Sequence, residues 1–203
     1  RAALRRSVST IRAIASPMTT TASAYAAICT PVTGQVLDAG GVTVAKAPYY
    51  ESRFLRANAP DAAQAVWLRE TLLLPAGGQP SADVWVMVFD PQGEGNKALK
   101  EPYPIDAAAY GYDKWTARIG ATSIDDRSAQ GVVTGGRSSI AGSAGGRSAR
   151  WDLRITPGSE HEVKLLTDRA YKARIPTAKT TVRHPLAQFD GQVELDDARL
   201  AKV

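Results

Sequence analysis

Ala65–Pro91, AVWLRETLLLPAGGQPSADVWVMVFDP, is the stretch that decides the fold. It holds two runs of strand-forming residues, Ala65 to Leu74 and Asp83 to Phe89, joined by a Gly/Pro-rich loop. Val, Leu and aromatic side chains suit a pleated, half-buried surface. The second run, Val84-Trp85-Val86-Met87-Val88-Phe89, is apolar at every position. A strand of that kind has both sides out of water, or one side on a core and the other on an apolar cavity. It is expected at the centre of a β-structure around which the chain closes.

Working outward, Tyr49 to Arg56 reads as an extended segment, and Val36, Val42 and Val44 flank the turn signal Asp38-Ala39-Gly40-Gly41 as a short hairpin. Beyond Pro91, Gly93, Gly95, Pro102 and Pro104 predict a long loop, with a short helix near Asp106 to Ala109. Lys114 to Ile124 returns to strand character. Thr134 to Ala149, TGGRSSIAGSAGGRSA, has the composition of a flexible loop. Ala149 to Thr156 then alternates cleanly, with Trp151, Leu153 and Ile155 on one face and Arg150, Asp152, Arg154 and Thr156 on the other. Val163 to Leu166, Thr180 to Arg183 and Gln188 to Leu195 read as further strands. No persuasive helical period follows residue 20. Eight or nine strands joined by short turns predict an all-β, antiparallel, lipocalin-like barrel or half of a double barrel.

The chain of 203 residues carries a net charge of +5. Residues 1–17 contribute four arginines and no acid, so the other 186 sum to +1, and Arg137 and Arg147 of the Gly/Ser stretch leave the body at −1. A nucleic-acid binder clusters its cations on the folded body, so no nucleic-acid partner is expected. Residues 1–17 have the Arg/Ser-rich, acid-free composition of an organellar transit peptide, although translation from Met18 is the plainer account. They are set aside as a leader, and 18–203 are taken as one β-barrel domain. The lone Cys29 permits no intrachain disulfide, and no apolar run approaches the ~20 residues of a membrane-spanning helix. A bacterial cytoplasmic location is expected, or an organellar one if the leader is a transit peptide.

Several motifs fail on context. Gly93-Glu94-Gly95-Asn96-Lys97-Ala98 fits a dinucleotide fingerprint, but Pro102 and Pro104 arrive too soon for the helix whose N-terminus would face a pyrophosphate. The same loop lacks the ligand series of a calcium site. Ala141-Gly142-Ser143-Ala144-Gly145 resembles a nucleophile elbow, yet no strand leads into it. There is no P-loop, and two separated histidines without cysteine partners argue against zinc. No metal or cofactor is expected.

Charged residues inside strands are the more informative signal. A carboxylic acid on an inward strand face would be a polar spot in an apolar barrel, with its pKa raised by burial. Glu70 and Asp152 are the strand-borne candidates, with a solvent-facing ion pair as the plainer account of Asp152 and Arg154. The inward faces of 66–72 and 84–89 would line a barrel interior. Residues expected at an apolar ligand are Trp67, Arg69, Trp85, Met87, Trp115, Trp151 and His184. Core packing is the plainer account of the four tryptophans, and a hydrogen bond at a strand break before Pro185 that of His184.

With the strands in place, the chain resembles the N-terminal half of the carotenoid 1,2-hydratase (hydroxyneurosporene synthase) and AttH-like superfamily of lipocalin-type barrels. The resemblance rests on Tyr50-Glu51-Ser52-Arg53-Phe54, Val66-Trp67-Leu68-Arg69-Glu70, Asp83 to Asp90, Trp151-Asp152-Leu153 and Gly191-Gln192-Val193-Glu194-Leu195, within residues 48–197. It implies a binding domain for a hydrophobic small molecule, isoprenoid or lipid-like, with a second barrel outside this chain as a partner. The Asn-, His- and Trp-rich segment that opens the family's second half has no counterpart here, so hydratase activity is not carried over by position. A hydratase or cyclase lacking its catalytic half is one alternative, and a carbohydrate-binding or structural β-sandwich is another.

Overall fold

The structure is a computed structural model that describes residues 8–13, 22–28, 48–59, 63–92, 96–111, 115–136, 147–159, 161–164, 166–173 and 179–197. It is all-β and antiparallel, as expected. Among the described residues there are thirteen strands rather than eight or nine: β1 Val8–Ala13, β2 Ala22–Ile28, β3 Tyr49–Asn58, β4 Ala65–Leu74, β5 Ser81–Phe89, β6 Lys97–Pro104, β7 Ala108–Gly111, β8 Thr116–Ile119, β9 Thr122–Ile124, β10 Ser128–Gly136, β11 Arg147–Thr156, β12 Val163–Lys164 and β13 Lys179–Asp197. A 3-10 turn, Ile105–Ala107, links β6 to β7, and one five-residue helix, α1, spans Asp168–Lys172. Thr167 caps α1 by accepting a hydrogen bond from the Ala170 amide.

The strands hydrogen-bond in the order β6-β5-β4-β3-β2-β13-β11-β10-β9-β8-β7, with β1 and β12 also on β13. The nineteen residues of β13 organise this path. The first half of β13 pairs with β2 and β12, the second with β11 and β1. The sheet turns a corner at β13, where the register against β2 slips on either side of His184. The path thereby curls, bringing β6 against β10 and β11, and β4 and β5 against β8. Gly191 sits in β13 at φ +142, and a Cβ there would lie 2.0 Å from the Asp152 carbonyl oxygen of β11. Only glycine tolerates both the dihedral and the approach.

Four expectations are corrected. Val8–Ala13, placed in a leader outside the fold, forms β1 and pairs residue for residue with Gly191–Asp196; Val8, Thr10 and Ile11 are β-branched, which suits a strand. The loop expected after Pro91 contains β6. Its Pro102 and Pro104 are accommodated because β6 is the last strand of the path, where one edge needs no backbone donors. Lys114 to Ile124 is not one strand but two, β8 and β9, split by Gly120 at φ +57. The strands expected at 180–183 and 188–195 are one strand that runs through Pro185. The hairpin expected around Asp38–Gly41 and the middle of the Gly/Ser stretch lie outside the described residues.

The buried apolar side chains point into the curl from both halves of the path. Leu55, Leu68, Leu72, Val84, Val86, Val88 and Leu99 come from β3–β6, and Ile119, Ile124, Ala129, Trp151, Leu153 and Val193 meet them from the other half. Burying each large aliphatic side chain contributes roughly 1.5–3 kcal/mol. Trp151 packs against Gly131, where a Cβ would fall 2.2 Å from its Cζ2.

Candidate functional site

Strand alternation fixes which side chains enter this interior. In β3 the odd residues, Tyr49, Glu51, Arg53, Leu55 and Ala57, are buried. Their register with β4 puts Arg53 opposite Glu70, and β4's register with β5 puts Glu70 opposite Val84. Val84 in turn faces Glu101 of β6. A row of inward side chains, Arg53–Glu70–Val84–Glu101, therefore crosses four strands. Three of the four are ionisable, within a wall of leucine and valine.

Arg53 is fully buried and well supplied with acceptors. Its Nε donates to Glu51 Oε1 at 3.0 Å. Its Nη1 donates to the carbonyls of Gly111 at 2.8 Å and Thr116 at 2.6 Å, at the two ends of the β7–β8 turn. The guanidinium also lies over the rings of Tyr110, at 4.7 Å, and Trp115, at 5.7 Å. Tyr49 donates its hydroxyl to the other oxygen of Glu51. This ion pair is compensated by charge and by hydrogen bonds, the condition under which buried charges persist.

Glu70 is different. It is 1% exposed, and its Oε1 accepts a 2.8 Å hydrogen bond from Thr122 of β9. Its Oε2 is buried with no hydrogen-bond partner among the described residues. Burial pushes the Glu70 carboxyl up to about 7, against the lowering effects of the Thr122 hydroxyl and the Arg53 charge. The group exchanges a proton near neutrality inside an apolar wall. Towards the surface, Glu101 and Tyr103 project from β6 on the same face and are half-buried. Burial, the charge of Glu101 and a hydrogen bond to it, and the charge of Glu70 push the Tyr103 hydroxyl up to about 12. Tyr103 thus feels both carboxyl groups. Its ring rests on Gly120, where a Cβ would lie 2.6 Å from Cε1.

The residues expected at the site divide between two faces. Glu70, Trp115 and Trp151 are in the interior. Trp67, Arg69, Trp85 and Met87 lie on the outer face of β4 and β5, because these odd residues alternate with the buried ones and point away from the core. Arg69 donates to Ser52 Oγ at 2.8 Å and to the Tyr50 hydroxyl, and lies 5.9 Å from the ring centres of both Tyr50 and Trp67. Phe54 meets Trp67 edge-on. Lys100 pairs with Asp83 at 3.1 Å and covers Trp85 at 4.7 Å. The outer aromatic face is thus dressed by the stems of its own cations, and the four tryptophans form no exposed row. Asp152 is exposed, accepting from Gln130 Nε2 at 3.1 Å.

His184 belongs to a separate cluster at the corner of β13. Its Nε2 lies 2.9 Å from Asp126 Oδ1, and Arg183 grips the same carboxylate through Nε at 2.5 Å and Nη2 at 3.0 Å. Partial burial would raise the Asp126 carboxyl, but the hydrogen bonds and charges of Arg183 and His184 outweigh it and hold the group below its ordinary value. The cluster ties the irregular step before Pro185 to the β9–β10 turn. The Arg183 guanidinium also lies 5.9 Å from the centre of the Trp115 ring, which Arg53 approaches as well.

Residues that the sequence did not mark are Glu51, Arg53, Glu101, Tyr103 and Thr122. The available signal was the period-two spacing of Tyr49, Glu51, Arg53 and Leu55 with Glu70 across the ladder. Among the described residues no three His, Cys, Asp or Glu side chains are grouped to hold a metal ion, and no helix is long and apolar enough to cross a membrane. Comparison with protein-family models, with curated proteins and with solved structures finds no match for this chain.

Proposed function

We propose that the curled sheet binds a hydrophobic small molecule in its interior, with Glu70 as the polar anchor. The observation that carries this is the fully buried Glu70 carboxyl with one oxygen unpartnered in an aliphatic wall. Ligand sites are mostly apolar surfaces with a few convergent polar groups, and a bound polar end would satisfy the oxygen that folding leaves bare. The isoprenoid or lipid-like class comes from the resemblance in strand order and local sequence. Titration with a retinoid or carotenoid-like probe, followed by quenching of Trp115 and Trp151, tests the proposal. Saturable quenching that Glu70→Gln weakens supports it; no quenching at any concentration overturns it.

A second reading makes Glu70 a general acid in a hydratase or cyclase reaction. It is favoured by the position of its carboxyl near 7, where an acid is protonated and still able to donate. Protonation of an alkene carbon by Glu70, followed by capture of the cation by water, would return the proton to the carboxylate. Water addition to an isoprenoid alkene, measured with the wild-type chain and Glu70→Gln, decides it: equal turnover in both removes Glu70 from the chemistry.

A further inference from the structure

The inner face of β3–β6 is unevenly charged. Its carboxyl and basic side chains are Glu51, Arg53, Glu70, Lys97 and Glu101, three acids against two bases. Glu51 and Arg53 pair with one another. Glu70 and Glu101 are the two carboxyl groups with a buried oxygen that finds no hydrogen-bond partner among the described residues. They flank Val84 in one row, so their Cα atoms stand roughly 10 Å apart, two strand spacings. Tyr103 bonds to Glu101 and feels the charge of Glu70, which leaves its hydroxyl oxygen able to accept. Glu101 and Tyr103 lie on the outermost strand of the path and are half-exposed. They mark the side from which a polar end could enter.

Once Glu70 is ionised, the open positions that Glu70, Glu101 and Tyr103 offer are all acceptors. On the reading of the interior as a ligand site, we propose that it takes a head group that donates hydrogen bonds and carries no negative charge, an alcohol or an ammonium, and rejects a carboxylate. An alcohol would donate to Glu70 Oε2 or Glu101 Oε2. An ammonium would also balance the excess acid. With both carboxyls ionised, a carboxylate would be a third negative group in a water-poor interior, where like charges oppose binding strongly.

The test uses the whole chain at pH 8, where Glu70 is ionised, and three ligands with one ten-carbon tail, decylamine, decanol and decanoate, kept below micelle formation and followed by tryptophan fluorescence and calorimetry. The expected result is that decanoate binds at least about tenfold more weakly than the better of the other two, and that Glu101→Gln, a half-exposed position, narrows this gap to less than about threefold. The chain's net charge of +5 favours non-specific adsorption of decanoate, so the expected order runs against the background. Decanoate binding as well as the others overturns the head-group preference while leaving the interior a ligand site. Binding by none of the three overturns the interior site and the preference with it. The wild-type order stands as a test even if the variant does not fold, and an unchanged gap in a folded variant removes Glu101 from the selection.

Discussion

Glu70 stands directly opposite Arg53 in the β3–β4 ladder, and both side chains are fully buried. The two are not equivalent in what folding asks of them. Arg53 is given acceptors from Glu51 and from two backbone carbonyls. Glu70 has Thr122 on one oxygen and, among the described residues, no partner on the other. The first is a compensated charge, and the second is an acid for which the protein favours the neutral form.

That asymmetry sets a pH dependence. The Glu70 carboxyl rises from 4.5 to about 7 on folding. Below 4.5 both states hold the proton and the group contributes no difference. As pH rises towards 7 the unfolded chain releases its proton first, so stability falls. The loss amounts to about 3 kcal/mol above pH 7, on the order of 1.4 kcal/mol per pH unit. Glu70→Gln keeps an acceptor for Thr122 and removes the titration. It is expected to match the wild type near pH 4.5 and to exceed its stability at pH 8. Urea unfolding of both proteins at the two pH values checks this, and a difference that does not grow with pH contradicts it.

Arg53→Met is expected to cost about 3–5 kcal/mol, the range for breaking a buried ion pair from one side. It leaves Glu51 uncompensated and takes the donor from the Gly111 and Thr116 carbonyls. Removing both charges, in Glu51→Gln with Arg53→Met, is expected to cost less than the sum of the single changes. A double-mutant cycle by chemical denaturation measures the coupling, and strict additivity would mean that the two side chains do not act as a pair.

How much of this was legible in the sequence depended on whether one face dominated. β4, β5 and β11 alternate or are uniformly apolar, and they were found with near-correct bounds. β10 does not read as a strand because two of its inward residues, Ala129 and Gly131, are small, and at Gly131 the ring of Trp151 from β11 occupies the space a side chain would take. Glu70 could be singled out as a charge in mid-strand. Glu51 and Arg53 could not, since Tyr50-Glu51-Ser52-Arg53-Phe54 has charges on one face and aromatics on the other, and only pairing with β4 turns the charges inward. Glu101 and Tyr103 were hidden by prolines that read as a loop. The outward turn of Trp67, Arg69, Trp85 and Met87 follows from the same register, which places Leu68 opposite Leu55 and Val86.

Gly131→Ala tests the packing that governs β10. The added Cβ would sit 2.2 Å from Cζ2 and 2.6 Å from Cε2 of Trp151, a rigid ring held between strands. Overpacking of this sort costs about 1–3 kcal/mol. Adding Trp151→Phe, which removes the offending part of the indole, is expected to recover part of the loss in the Gly131→Ala background. Thermal unfolding of the four proteins of the cycle reads this directly; equal effects of Trp151→Phe in both backgrounds would rule out the contact as the cause.

Asp126 ties the corner of β13 to the β9–β10 turn through one carboxylate. It receives three bonds from two adjacent residues of β13, Arg183 and His184, at the step where the strand leaves its register with β2. Neighbouring residues in a regular strand point to opposite faces, so two consecutive side chains can share one acceptor only where the strand is irregular. Asp126→Asn retains the shape and loses the charge that attracts both donors. It is expected to destabilise the chain by about 1–2 kcal/mol at pH 7, less than a buried charged hydrogen bond would contribute because the group is partly exposed. The folded carboxyl lies below its ordinary value, so its contribution is present above the unfolded pKa of 3.8 and is lost as pH falls through the folded one. The wild type and Asp126→Asn should therefore converge in acid and separate at neutral pH. Urea midpoints from pH 7 down to pH 2 show whether they do, and a gap that does not narrow as pH falls would assign the cost to altered packing rather than to the charge.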